Sequence, residues 1–178
     1  MTKQMNTPRD PPEPETADEK EVYAFYGLAS YEAQVAERGL IQLALLLRLR
    51  DIPGANQDTY DREYGALSRL TFGEILKGLT ADETLGDDLR TLLRRALQVR
   101  NHLTHHFFWD FAEEWLTEQG RLFIIEKLRE AIRLFSAVDE TVGGLVEEMG
   151  QKLGIGRHRI SRIFEEMLDE ARRKYDSA

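Results

Sequence analysis

Cysteine is absent from the 178 residues, which excludes disulfide scaffolds, thiolate zinc sites and thiol nucleophiles together. Proline is scarce and confined to the start: four of the five lie before residue 15, the fifth is Pro53, and none follows it. Long apolar runs are missing too. The longest, Leu43 to Leu47, is closed by Arg48 and Arg50 and is far short of the roughly 18 residues a membrane span needs, so no membrane partner is expected. Pro8, Pro11, Pro12 and Pro14 stand among acidic residues, with no apolar segment after a basic start. That is not a secretory signal. The composition points to a disordered acidic lead-in over residues 1–17 and a cytoplasmic chain. An excess of base is lacking as well: 24 Lys and Arg stand against 32 Asp and Glu, a formal charge of −8. A broadly basic nucleic-acid binder is therefore excluded, while a local cationic patch is not.

What is present is helical in pattern. Leu, Glu, Arg and Ala dominate the proline-free stretch, and Val, Ile and Thr nowhere alternate as strands require. A first helix is expected from Thr16 or Asp18 to about Asp51, followed by a loop at Ile52–Thr59 whose Pro53-Gly54 pair signals a turn. Short helices over Tyr60–Leu67 and Phe72–Leu79 come next, the latter capped by Thr71. A central helix starts at Asp87 or Asp88 with an apolar face of Leu89, Leu92, Leu93, Ala96, Leu97 and Val99. A fifth runs from about Gly120 to Met149 on a stripe from Leu122 to Leu145. A glycine-punctuated break at Gly150–Gly156 precedes a last helix, Arg159–Tyr175. The expectation is an all-α, up-and-down bundle of about five to six helices, with residues 18–178 forming one domain.

Chemistry concentrates in one segment. Three of the four histidines lie at 102, 105 and 106, Arg90, Arg94, Arg95 and Arg100 precede them, and Phe107, Phe108 and Trp109 follow. Three readings are open. His102 with His105 or His106 shares a helical face and could present two imidazoles to a metal, but no carboxylate stands at a metalloprotease-like step. Alternatively, Arg100 holds a phosphodiester with its fixed cationic fork while His105 moves a proton near neutral pH, enough for RNA cleavage through the 2′-hydroxyl. In the third reading the segment is structural, and Phe107, Phe108, Trp109, Phe111 and Trp115 are packing groups.

Arg100-Asn101-x-x-x-His105 resembles the Arg-polar-x-x-x-His signature of the HEPN superfamily, small all-helical proteins of prokaryotic toxin and defence systems. The likeness extends from about Glu21 to Val142 and includes Leu70-Thr-Phe-Gly-Glu-Ile-Leu76 upstream. The resemblance implies a metal-independent endoribonuclease without a cofactor, active as a homodimer on an RNA substrate, with an antitoxin protein as a further partner. Arg100 would stabilise the phosphate, His105 would act as general base or acid, and Asn101 would orient one of them or the scissile phosphate. The products would be a 2′,3′-cyclic phosphate and a 5′-hydroxyl. No role carries over to His102 or His106. Some members of the superfamily are interaction modules without catalysis, so a non-enzymatic helical partner in a toxin–antitoxin or abortive-infection pair is the alternative.

Five helical steps put Arg100 and His105 about 140° apart, off one stripe. A long Arg side chain can bend around or the helix can loosen locally, and a two-fold interface, where residues of both copies converge, is slightly favoured. Doubling the Arg90–His106 segment in a dimer would also create a local positive cleft on an acidic protein. In the tail, Arg157, His158, Arg159 and Arg162 form a basic knot ahead of Glu165 and Glu166. It reads as a solvated helix with pairs at three- and four-residue steps rather than as an RNA-tracking patch.

Overall fold

In the computed structural model, residues 10–82, 85–154 and 173–174 are described. They form the expected all-helical architecture: α1 (Glu19–Arg50), α2 (Gln57–Leu67), α3 (Phe72–Thr80), α4 (Asp87–His105), α5 (Phe107–Asp110) and α6 (Glu118–Lys152), with a 3-10 turn at Glu114–Leu116. The expected helix at 159–175 and its basic knot lie outside the described residues, apart from Arg173 and Lys174, which are helical.

Side-chain caps set most of the starts. Asp18 accepts the Glu21 N–H, and Thr71 and Glu74 form a reciprocal capping box at α3. Two helices begin earlier than periodicity suggests. Asn56 accepts the Thr59 N–H and starts α2 at Gln57 instead of Tyr60, and Thr117 accepts the Gly120 N–H and starts α6 at Glu118. Capping by a polar side chain adds a turn that the apolar pattern does not mark.

The three long helices alternate in direction. α4 descends against α1, with Arg100 near Glu37 and the Leu103 carbonyl accepting from Tyr26. α6 then ascends beside α1, in parallel: Arg121 reaches Ala17 at one end, and Val142 lies against Gly39 further along. The shared core holds Phe25, Leu40, Leu43, Leu93, Ile125, Leu128 and Phe135, with Phe72 and Ile75 of α3 closing one side. On the apolar stripe expected from Leu122 to Leu145, Leu122 lies at the surface, whereas Ile125, Ile132, Val138 and Val142 are buried.

Residues 10–17, the described part of the acidic lead-in, take no regular secondary structure and run along α6. Asp10 pairs with Arg133 at 3.2 Å, Glu13 pairs with Arg129, Pro11 is buried, and the Arg121 Nε donates to the Ala17 carbonyl at 2.6 Å. Prolines favour an extended backbone, which spaces the two carboxylates to meet arginines one helical turn apart.

Several carboxyl groups are held below their ordinary range. For Asp18 the chief cause is the Glu21 N–H, for Glu74 the Thr71 backbone N–H, and for Glu126 the Arg133 guanidinium. A group whose pKa is depressed by folding stabilises the fold above its unfolded value, and that share is lost as pH falls through its folded value. Unfolding temperature measured from pH 7 downward therefore begins to lose this share near the ordinary carboxyl values of 3.8 and 4.5 and keeps losing it below them. Asp18→Asn, which retains a capping oxygen without the charge, makes that acid-side decline shallower.

Candidate functional site

One end of the bundle gathers the start of α1, the end of α4, α5, the 3-10 turn and the start of α6. Here α4 runs as regular helix through His105 and breaks at His106, whose N–H still donates to the His102 carbonyl at 2.9 Å. The His106 carbonyl then accepts from the N–H groups of Trp109 and Asp110 at 3.0 and 2.9 Å, which folds the chain into the single turn of α5.

Arg100 and Asn101 lie side by side on α4. The Arg100 Nη1 donates to Asn101 Oδ1 at 3.3 Å, and its Nη2 lies 3.9 Å from Glu37 on α1. That last separation is too long for a hydrogen bond, so the guanidinium retains donors for a ligand. The Thr104 hydroxyl caps the Arg100 carbonyl at 2.9 Å. His105 is exposed, and its ring meets the His106 ring edge-on at 6.2 Å. No hydrogen bond or ion pair among the described residues joins Arg100 to His105. The helix stays regular between them, so the roughly 140° offset read from spacing persists in the fold.

The four arginines do not form one patch with the histidines. Arg90 is tied to Asp87 at 3.1 Å and to the Asp82 carbonyl at 2.9 Å, and ten helical residues carry it roughly 15 Å from Arg100. Arg94 and Arg95 are exposed between the two ends. Because the site lies at the carbonyl end of α4, where partial negative charge collects, an anion there depends on Arg100 and the imidazoles rather than on free helix N–H groups.

Aromatic residues surround the histidines and divide into two groups. Phe107 is buried and Phe111 half-buried, as packing groups should be. Tyr23, Phe108 and Trp115 form a mutually touching trio with centroids 5.2–5.8 Å apart, and Tyr26 joins Phe108 at 4.7 Å. Tyr23 is 55% and Phe108 39% exposed, and Trp109 stands out at 85%. The reading of all five aromatics after His106 as core therefore fails for Phe108 in part and for Trp109 outright, and Trp109 shows why. It occupies the outward side of a one-turn helix, which has only one inward side to offer.

Two members of the site had no clear mark in the sequence. Glu37 approaches Arg100 from a helix 63 positions earlier. Asp110, from the one-turn helix α5, brings Oδ2 to 3.0 Å from the His102 Nε2. Its offset of eight from His102 is a same-face step on an unbroken helix, which was the one available hint. Among the described residues no three or more His, Asp or Glu side chains converge as a metal-binding group, and no helix is long and apolar enough to cross a membrane.

Compared with protein-family models, with curated proteins and with solved structures, the chain finds no match.

Proposed function

We propose that this chain is a metal-independent endoribonuclease of HEPN type, acting as a homodimer in a toxin or phage-defence setting with an antitoxin protein as restraint. The observation that carries the reading is the surface at the end of α4. There an incompletely paired Arg100, its neighbour Asn101 and an exposed His105 share one helix end with exposed aromatic rings. Arg100 holds the phosphodiester and the charge that builds on it, and Asn101 fixes the guanidinium through its carbonyl. His105 exchanges a proton with the 2′-hydroxyl or with the leaving oxygen. The 2′-oxygen forms its bond to phosphorus as the bond to the 5′-oxygen breaks, which leaves a 2′,3′-cyclic phosphate and a 5′-hydroxyl. A second copy supplies the opposite wall of the cleft, an arrangement that the 140° offset slightly favours.

Cleavage of RNA by the purified chain in EDTA tests the reading. His105→Ala is expected to slow it by about 10²–10⁴-fold, the usual share of a proton-transfer group, and Arg100→Ala to slow it comparably. Neither substitution should change the unfolding temperature much, because His105 is exposed and Arg100 gives up only a surface contact to its neighbour Asn101 and a loose approach to Glu37. Undiminished cleavage in both variants sinks the assignment.

Trp109, 85% exposed and three residues after His106, offers an open ring face. Stacking of one base on an aromatic ring contributes about 1–3 kcal/mol. Trp109→Ala should therefore weaken binding of single-stranded RNA by about 5–150-fold, read by fluorescence anisotropy with the His105→Ala protein. Its stability should hardly change, since so exposed a side chain leaves no cavity.

The second reading, a non-catalytic partner-binding module, draws on the same exposed Trp109 and on Leu116, which is 78% exposed. Absence of cleavage by the unmodified chain, together with a stable complex with a protein partner, would favour it.

A further inference from the structure

His102 lies one helical turn before His105, on the same side of α4, and among the described residues it has a carboxylate partner that His105 lacks. Its Nε2 is 3.0 Å from the Oδ2 of Asp110, and its ring is met edge-on by Phe107 and Phe111, each with its centroid 5.9 Å away. The one-turn helix after His106 is what returns Asp110 to this position. A carboxylate can only accept, so Nε2 is the nitrogen that holds a proton toward Asp110, and in the neutral ring the lone pair then lies on Nδ1. The His102 side chain remains 38% exposed, which leaves the ring open to solvent.

We infer that His102, oriented by Asp110, is a second proton-transfer group of the site and works as the base while His105 works as the acid. The inference rests on the ribonuclease reading above and adds to it a division of labour. Cleavage through a 2′-hydroxyl moves two protons, and one exposed imidazole serves one of them at a time. The His102 Nδ1 takes the proton of the 2′-hydroxyl as the 2′-oxygen bonds to phosphorus. The P–O5′ bond breaks, and the departing 5′-oxygen receives a proton from the protonated His105. Water then restores both imidazoles, and no electrons are gained or lost. Asp110 is a positioning residue: it fixes the tautomer and ring plane of His102 without touching substrate. Among the described residues the titratable group bonded to His102 is Asp110 of α5, and His105 follows one turn later on the same helix. From α1 the Tyr26 phenol donates to the carbonyl of Leu103, the residue after His102.

The test uses the full chain with an unstructured mixed-sequence RNA oligonucleotide, in EDTA, across pH 5–9. The unmodified protein should give a bell-shaped rate profile. His102→Gln should slow cleavage about 10²–10⁴-fold and remove one limb of the bell, Asp110→Asn should slow it less and displace that limb, and added imidazole should partly restore His102→Ala. Nitrogen NMR should show the His102 ring protonated at Nε2 at neutral pH and should lose that preference in Asp110→Asn, which keeps the side-chain shape should the His102 variants fail to fold. If His105→Ala is inactive while the His102 variants cut normally, this inference falls and the ribonuclease reading stands. Slowed His102 variants that keep both limbs and do not respond to imidazole also overturn it, because the residue is then structural. If the unmodified chain does not cut, or His105→Ala and Arg100→Ala both cut fully, both fall together.

Discussion

Truncating Phe135 to alanine lowers the stability of this protein by about 3–5 kcal/mol, the range for removing a fully buried phenylalanine and leaving a cavity. Phe135 has no exposed surface and sits on the buried stripe of α6, in the core that α6 shares with α1 and α4. The parallel pairing of α1 and α6 brings two helices of more than 30 residues side by side, so the rings and branched chains between them carry much of the packing. Domains are stable by only about 5–15 kcal/mol in total, so this single change removes a large share. A chain of this size shifts its melting temperature by about 2–4 °C per kcal/mol, which predicts a fall of roughly 6–20 °C. In urea the midpoint should drop while the slope stays constant, since the surface exposed on unfolding scarcely changes. A loss below about 1 kcal/mol would mean that α6 does not pack through this face.

Gly120→Ala is expected to destabilise, against the ordinary trend. Glycine within a helix costs about 1 kcal/mol relative to alanine, so propensity alone predicts a gain at this position in the first turn of α6. Space decides otherwise. A methyl group on Gly120 would overlap the backbone of Glu114, including its carbonyl, in the 3-10 turn that folds back over the helix start. Backbone cannot swing aside as a side-chain tip can, and forcing atoms into such a place typically costs about 1–3 kcal/mol. The strain would also reach the site. Trp115 belongs to the same turn, its carbonyl accepts from Arg121 at 3.0 Å, and its ring touches Tyr23 and Phe108. Thermal unfolding should show the loss, and near-ultraviolet circular dichroism should show a changed tryptophan environment. A rise in stability of about 1 kcal/mol, the propensity gain, would show that the turn does not lie against Gly120.

The helices were legible because their signals are local. Apolar residues at three- and four-residue steps placed the middle of every described helix but α5, and Asp18 and Thr71 marked two starts correctly. Errors arose where a polar cap outran the apolar pattern, at Asn56 and Thr117, and at Gly150, which lies within α6 rather than ending it. α5 was not foreseen because four residues are too few to show a period, and neighbouring Phe107, Phe108 and Trp109 read as one apolar run. Whether each aromatic faces inward depends on the turn at His106, which no composition rule announces.

The candidate site divides in the same way. Arg100, Asn101 and His105 stand out in the chain itself, as an unusual grouping of a cation, an amide and an imidazole at the end of an apolar helix. Their offset around that helix also follows from spacing alone. By itself the sequence determined the all-α class, the approximate helix positions and this segment, because each depends on residues within a few turns of one another. Only the tertiary structure decided that α1 and α6 lie parallel, that Glu37 approaches Arg100, that Asp110 meets His102, and that Trp109 faces outward while Phe107 is buried. Those outcomes depend on how separate helices pack and where a short turn redirects the chain, and packing partners distant in sequence leave no periodic trace in it.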